Sequence, residues 1–235
     1  MAELLDGALL FVAYLLPLAV IIFTARKVIK FPDELFRKCL HTLLLGAYIP
    51  LLFGFETWWI CVAFVLGLML LFYPLLMIIS RLPKFTEFVN ERKSGEFKSS
   101  MVLALGVMAG SIAIGWGIFN DKYLVLASVY CWGIGDAFAA LIGKRFGKHK
   151  IKWKFVDNKK SYEGSLAMLV ISMISVFIIL MLRGGVHAGL CALIALVASA
   201  ASAFVELCSK GGIDTVTCPA VSMAIILALL SLIGG

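Results

Sequence analysis

The segment 123–165, YLVLASVYCWGIGDAFAALIGKRFGKHKIKWKFVDNKKSYEGS, indicates how this chain must fold. Its first twenty residues carry no charge except Asp136, whereas the remainder contains eight Lys and Arg. About 20 apolar residues are enough for a helix to cross the hydrocarbon core of a bilayer, and basic loops stay on the cytoplasmic side. The segment therefore predicts a membrane-spanning helix that contains an acid and ends at a basic cytoplasmic loop.

The composition of the whole chain agrees with this interpretation. Hydrophobic residues make up 62% and charged residues 15%, whereas soluble domains average roughly 45–50% and about 25%. With 235 residues there is room for seven or eight spans and no separate soluble domain. We expect an all-α, polytopic helical bundle that forms a single transmembrane domain over residues 1–235.

Eight apolar windows divide the chain into candidate spans, and three prolines inside them allow kinks. The count is therefore seven or eight, with one short window as a possible re-entrant piece. The prolines are Pro17, Pro50 and Pro74. The windows are 4–24, 39–55, 57–79, 100–119, 123–142, 165–182, 186–207 and 219–233.

The basic residues orient these spans. Of the 21 Lys and Arg, 19 fall in alternate loops, about 25–38, 80–99, 143–164 and 208–218, and only Lys122 and Arg183 fall elsewhere. This asymmetry predicts that the four loops are cytoplasmic and that both termini lie on the other side. Most of the net charge of +7 is explained by orientation and by attraction to anionic headgroups.

The sequence also argues against nucleic-acid binding and against a disulfide or metal–thiolate site. The basic residues form no soluble module with interleaved aromatic residues, so we expect no nucleic-acid binding. The six cysteines show no CxxC or Cys/His ligand spacing, which favours buried apolar residues over disulfides or a metal–thiolate site.

Asp136 lies on a narrow face of small residues at helical spacing, formed with Gly133, Ala137, Ala140, Gly143 and Gly147. It is roughly 9 Å inside its span, where an unpaired carboxylate is costly, so it needs a partner. One interpretation is close helix packing, with the carboxylate bonded to a neighbouring backbone. The other is a small-walled cleft in which Asp136 holds Mg²⁺ or accepts a proton from a hydroxyl.

The compact polar run 158–165, NKKSYEGS, leads directly into the next helix. Ser161 or Ser165 is expected to cap that helix, whose free amides and Lys159 and Lys160 suit phosphate oxygens. Gly143 and Gly147 allow backbone to approach a ligand closely. The run lacks the GxxxxGK[ST] spacing, which excludes a P-loop nucleotidase.

Two further groups of polar residues fall at the predicted cytoplasmic ends of spans. Arg37, Lys38 and His41 share one helix face, where they either bind phosphate and orient an acceptor hydroxyl or simply flank the membrane. Glu206 and Asp214 are additional acids, and Asp214 is equally compatible with a cap or a surface loop. Mg²⁺ bound with a triphosphate rationalises so many carboxylates in an apolar chain.

Three blocks of the sequence resemble the CTP-dependent lipid-alcohol kinases, the superfamily of dolichol kinase, phytol kinase and CTP-dependent diacylglycerol kinase. The first is Arg37-Lys38-x-x-His41. The second runs from Gly135-Asp136-Ala137 through Gly143 and Gly147 to Lys159-Lys160-Ser161-x-Glu163-Gly164-Ser165. The third is Glu206 with Ile213-Asp214-x-x-Thr217-x-Pro219, so the resemblance extends from residue 37 to 219.

The resemblance implies an enzyme that transfers the γ-phosphoryl group of CTP to a lipid alcohol, a polyprenol, phytol or diacylglycerol, at the cytoplasmic interface. It implies catalytic roles for Asp136, Lys160, Glu163, His41, Arg37 and Lys38. Mg²⁺ is expected on Asp136, Glu163, Glu206 and Asp214. The nucleotide is expected on Gly135, Gly143, Lys144, Gly147, Asn158, Lys159, Ser161 and Gly164.

Two alternatives remain open at this point. The second block is also similar to phosphatidate cytidylyltransferases, which make CDP-diacylglycerol from CTP. A transporter or flippase, in which Asp136, Glu206 and His41 form an ion path, is an alternative of another class. The absence of an evident inverted repeat and the clustered basic loops favour the kinase.

Overall fold

The computed structural model describes residues 2–29, 32–80, 95–153, 156, 160–209 and 212–233. These residues form nine α-helices and one π-helical segment, Ala113–Ile118, which follows α5 directly. The helices are α1 Ala2–Val28, α2 Asp33–Gly46, α3 Tyr48–Gly54, α4 Trp58–Ile79, α5 Glu96–Ile112, α6 Lys122–Phe146, α7 Tyr162–Arg183, α8 Ala188–Cys208 and α9 Asp214–Leu232.

Eight of the described helical segments are long and apolar enough to cross a membrane. The predicted polytopic all-α bundle is thereby confirmed. An α-helix satisfies every internal backbone group within its own segment, which is why such apolar stretches fold this way where water is absent. In the described residues the one isolated β-bridge joins Lys150 to Ser161 and shapes the link between α6 and α7.

The second span is built from two helices, α2 and α3, that meet at Ala47. Pro50 lies in the first turn of α3, where its missing N–H removes a bond that a continuous helix would need. The kink that the sequence allows in this window is therefore observed, at Ala47, three residues before Pro50. Pro17 and Pro74 lie inside α1 and α4, which continue through them.

The links α1–α2, α6–α7 and α8–α9 meet at one end of the bundle, which we call the basic face. In the first of these links, Arg26 Nη2 pairs with Asp33 Oδ1 at 2.5 Å and so joins the end of α1 to the start of α2. The predicted assignment of this face to the cytoplasm stays a prediction.

The opposite face holds the two exceptions to the basic-loop rule, and both are bound locally. Arg183 Nε pairs with Asp121 Oδ2 at 2.6 Å. Lys122 Nζ donates to the Phe55 carbonyl oxygen at 3.0 Å and lies 3.9 Å from the centre of the Trp116 ring. Both positive charges thus have partners within the bundle.

Helix α6 occupies the middle of the bundle, since it packs against α2, α7, α8 and α9. Its N-terminal half is almost wholly buried, as shown by Leu124, Val125 and Ala127. Helices α1 and α4 are much more exposed, with large apolar side chains facing outward, as expected of helices that contact lipid. The central helix is also the one that carries Asp136.

Candidate functional site

Asp136 has an ionic partner from a distant helix. Lys38 Nζ, on α2, donates to Asp136 Oδ2, on α6, at 2.5 Å. Both side chains are largely buried. The predicted need of Asp136 for a partner is thus met by a lysine.

A second ion pair lies at the junction of α7, α8 and α9. Lys160 Nζ pairs with Glu206 Oε1 at 2.9 Å and also donates to the Glu206 carbonyl oxygen. It approaches the Ser209 carbonyl oxygen at 3.4 Å. The last carbonyls of a helix have no partner within it and attract cations. Lys160 therefore caps α8 while it neutralises Glu206.

Asp214 begins α9 and faces the same region. Its Oδ2 accepts from Trp132 Nε1 at 3.4 Å. The Trp132 ring in turn contacts the His41 ring edge to face, with centroids 5.0 Å apart. Residues from α2, α6 and α9 are thereby joined through one indole.

Asp136, Glu206 and Asp214, on α6, α8 and α9, form one cluster of polar residues with Lys38 and Lys160. The charges of Asp136 and Asp214 both act on Glu206, and those of Asp136 and Lys160 act on Asp214. Three acids and two lysines therefore share one electrostatic environment. Within the described ranges, no three His, Cys, Asp or Glu side chains are close enough together to form a metal-binding group.

The remaining predicted residues of α2 lie beside this cluster. His41 is partly buried, and its Nε2 atom is shielded from solvent and has no hydrogen-bond partner among the described residues. The charges of Lys38, Asp136 and Arg37 act on its ring. Arg37 Nη1 lies 3.7 Å from Glu34 Oε2, one turn back along α2.

Glu163 is tied to a different group. Its Oε1 accepts from the backbone N–H of Lys148 at 3.2 Å and of His149 at 3.1 Å. The same oxygen lies 2.7 Å from His149 Nδ1. These bonds hold the turn after α6 against the first turn of α7. Glu163 thus stabilises the α6–α7 link through hydrogen bonds, a role that its sequence position did not indicate.

Ser161 is the N-cap of α7, and its Oγ accepts from the Gly164 N–H at 3.2 Å. This confirms the predicted cap at Ser161. The cap uses the Gly164 amide as its donor, and the predicted nucleotide contact of Gly164 stays a prediction.

Three glycines of α6 lie where the helix packs closely against α7 and its N-cap. A side chain at Gly135 would meet Ser172 and Met168 of α7, at Gly143 it would meet Ser161, and at Gly147 it would meet Ser161 and the Gly143 carbonyl. Helix packing therefore accounts for their lack of a side chain. The close approach of a ligand predicted at Gly143 and Gly147, and nucleotide binding at Gly135, stay predictions.

For three predicted nucleotide-binding residues the structure gives no contact with the other site residues. Lys144 is exposed at the C-terminal end of α6. Asn158 and Lys159 lie outside the described residues.

Sequence reasoning missed Trp132 and His149. Trp132 precedes Asp136 by four residues and so shares its helix face, which is a signal that the sequence does contain. His149 carries no comparable signal, because its contact with Glu163 depends on how the α6–α7 link folds back.

A part of the chain is similar to a dolichol kinase. The dolichol kinase sec59 of Schizosaccharomyces pombe (strain 972 / ATCC 24843) is 44% identical to it over 63 residues. That stretch is 27% of this chain and 11% of the relative, so the similarity covers about a tenth of the relative's length. No family model and no solved structure matches the chain. The comparison loosely supports a relationship with lipid kinases.

The cluster has the chemical groups that a polyphosphate with a divalent cation requires. Lysines neutralise phosphate oxygens, and carboxylates are preferred ligands of hard cations such as Mg²⁺. The site lies near the ends of membrane-spanning helices, where a headgroup and a water-soluble molecule can meet.

Proposed function

We propose that the protein is a CTP-dependent lipid kinase that transfers a γ-phosphoryl group to the hydroxyl of a membrane lipid alcohol at the cytoplasmic interface. The observation that carries the proposal is the convergence of Lys38, Asp136, Lys160, Glu206 and Asp214 at the basic face. The partial similarity to a dolichol kinase supports the same reaction class.

The donor set fits Mg²⁺. This ion is usually held by one or two carboxylates together with substrate phosphates and water, so a cage of three protein ligands is not required. One or two of Asp136, Glu206 and Asp214 would hold it together with the phosphates, because the charges of these acids act on one another. Glu163 is engaged by the α6–α7 link instead. When bound, Mg²⁺ neutralises charge on the transferring phosphoryl group.

The two lysines would take the phosphate oxygens. Lys38 and Lys160 are each held by a carboxylate, which keeps two flexible side chains at the site. Arg37, one position before Lys38, is a further cation for the polyphosphate. Lys159 is assigned to the same role by the resemblance of the sequence block.

His41 would orient or deprotonate the acceptor hydroxyl. Its unpartnered Nε2 is buried close to the Lys38–Asp136 pair. A lipid alcohol keeps its tail in the bilayer and presents its hydroxyl at the interface, so the enzyme needs only helix ends to bring the two substrates together.

The test uses purified protein with Mg²⁺ and a set of acceptors, a polyprenol, phytol and diacylglycerol. CTP or ATP labelled at the γ-phosphate is supplied, and lipid-borne label is measured. The expected result is label from CTP on one acceptor class, lost in Asp136→Ala and in Lys160→Ala. The control is Lys152→Met, an exposed residue of the same basic tract.

Other outcomes assign other functions. Label from α-labelled CTP on phosphatidate, with release of pyrophosphate, would establish the cytidylyltransferase instead. Uptake of a solute or lipid into liposomes without nucleotide turnover would establish a transporter. Either result would overturn the kinase proposal.

A further inference from the structure

Trp132, on α6, lies where this helix meets four others near the basic face. It is 4% exposed and forms a small buried cluster with Met168 of α7, Ala203 of α8 and Cys218 of α9. On its remaining side it meets the His41 ring of α2, with ring planes 83° apart. The indole is thus held by apolar contacts that leave little freedom to rotate.

The single polar atom of this side chain points at Asp214. A buried indole N–H normally finds an acceptor, and inside a membrane protein an unsatisfied donor is particularly costly. Asp214 Oδ2 is that acceptor, at 3.4 Å. A rigid ring therefore connects a carboxylate on α9 to an imidazole on α2, across the helix that carries Asp136.

We propose that Trp132 is a positioning residue for phosphoryl transfer, which orients Asp214 through its N–H and His41 through its ring. The inference rests on the proposed function and concerns the same site. Trp132 contacts neither substrate in this proposal. Its effect comes through the two residues that it contacts, Asp214 and His41.

The kinetic test replaces Trp132 by Phe, which retains an aromatic ring beside His41 and removes the donor to Asp214. Loss of a hydrogen bond to a charged group is expected to lower kcat about tenfold, with the KM for the lipid unchanged. The larger change Trp132→Leu removes both contacts and is expected to lower kcat further. The matched control is Trp116→Phe, since Trp116 is 5% exposed and lies at the opposite face.

A second substitution covers the case in which Trp132→Phe does not fold. Site-specific replacement of Trp132 by benzothienylalanine keeps the shape of the bicyclic ring and exchanges only its N–H for sulfur. The same loss in kcat is expected, with a melting temperature close to that of the wild type.

A double-mutant cycle measures the contact without using activity. Melting temperatures are compared for the wild type, Trp132→Phe, Asp214→Leu and the double variant, and the two changes are expected to be non-additive because each removes one partner of the hydrogen bond. Additive shifts would overturn the Trp132–Asp214 link. A kcat of Trp132→Phe equal to that of Trp116→Phe would overturn the positioning role alone. A wild type that transfers no label would overturn the proposed function, and the positioning role with it.

Discussion

Lys38 Nζ lies 2.5 Å from Asp136 Oδ2, although the two residues are 98 positions apart in the chain. The pair joins α2 to the central helix and is mostly shielded, with side-chain exposures of 12% and 19%. An ionised carboxylate in such a place is costly unless it has a partner of opposite charge. This contact therefore binds two helices and prepares two charges for a ligand.

Removal of one member of this pair should affect both stability and activity. Asp136→Asn leaves Lys38 without its counter-charge, and the free energy of unfolding is expected to fall by about 1–3 kcal/mol, below the value for a fully buried pair. Phosphoryl transfer is expected to fall at least about 100-fold if Asp136 holds the metal. Thermal unfolding and label transfer measure the two effects.

The double variant Lys38→Met with Asp136→Asn separates these effects. It removes both charges, so the melting temperature should recover towards the wild-type value while transfer remains lost. Recovery of activity together with stability would show that the pair is only structural.

Lys160 is expected to serve both α8 and the nucleotide. In Lys160→Met the α8 carbonyls and Glu206 lose their cation, so we expect a loss of about 1 kcal/mol in stability from the helix end. The KM for the nucleotide should also rise, because a phosphate-binding charge is gone. Titration of the nucleotide at saturating lipid checks this, with Lys152→Met as the exposed control. Equal KM values in the two variants would remove Lys160 from the nucleotide site.

Variants of Glu163 can distinguish a structural role at the α6–α7 link from a role as a metal ligand. If it holds the α6–α7 link through His149, then Glu163→Gln and His149→Ala should lower activity to a similar extent, about 3- to 10-fold. Neither should change the Mg²⁺ concentration that gives half-maximal activity. A much larger loss in Glu163→Gln alone, with a raised Mg²⁺ requirement, would return Glu163 to the metal site.

Two glycines test the packing of α6 on α7. A methyl group at Gly135 would meet Ser172 and Met168, whereas Gly110 of α5 has open space in that direction. Gly135→Ala is expected to destabilise the bundle by about 1–3 kcal/mol through overpacking. Gly110→Ala should be neutral or slightly stabilising because alanine is the better helix former. Thermal unfolding of both variants in the same detergent gives the comparison, and equal melting temperatures would contradict the packing argument.

Much of the architecture could be predicted because its cause is local. The eight apolar windows become membrane-spanning segments because each helix satisfies its own backbone. The break between α2 and α3 shortly before Pro50 and the helix cap at Ser161 follow from the chemistry of single residues. The need of Asp136 for a partner follows from its depth in a span, although the sequence did not identify that partner.

The site could be predicted only in part, because its contacts join distant segments. The sequence marked Lys38, Asp136, Lys160, Glu206 and Asp214 as candidates. It did not indicate that Glu163 would contact His149, nor that side chains of α7 and its N-cap would occupy the space beside the glycines of α6. Both depend on how two helices and their link pack together.

The sequence by itself determined that the chain forms seven or eight apolar helices and approximately where along it they lie, because apolarity, proline and charge act locally. Only the tertiary structure decided which charges pair and what Trp132 touches. Those choices depend on the order in which helices pack around α6, and that order is set by the shapes of many side chains together.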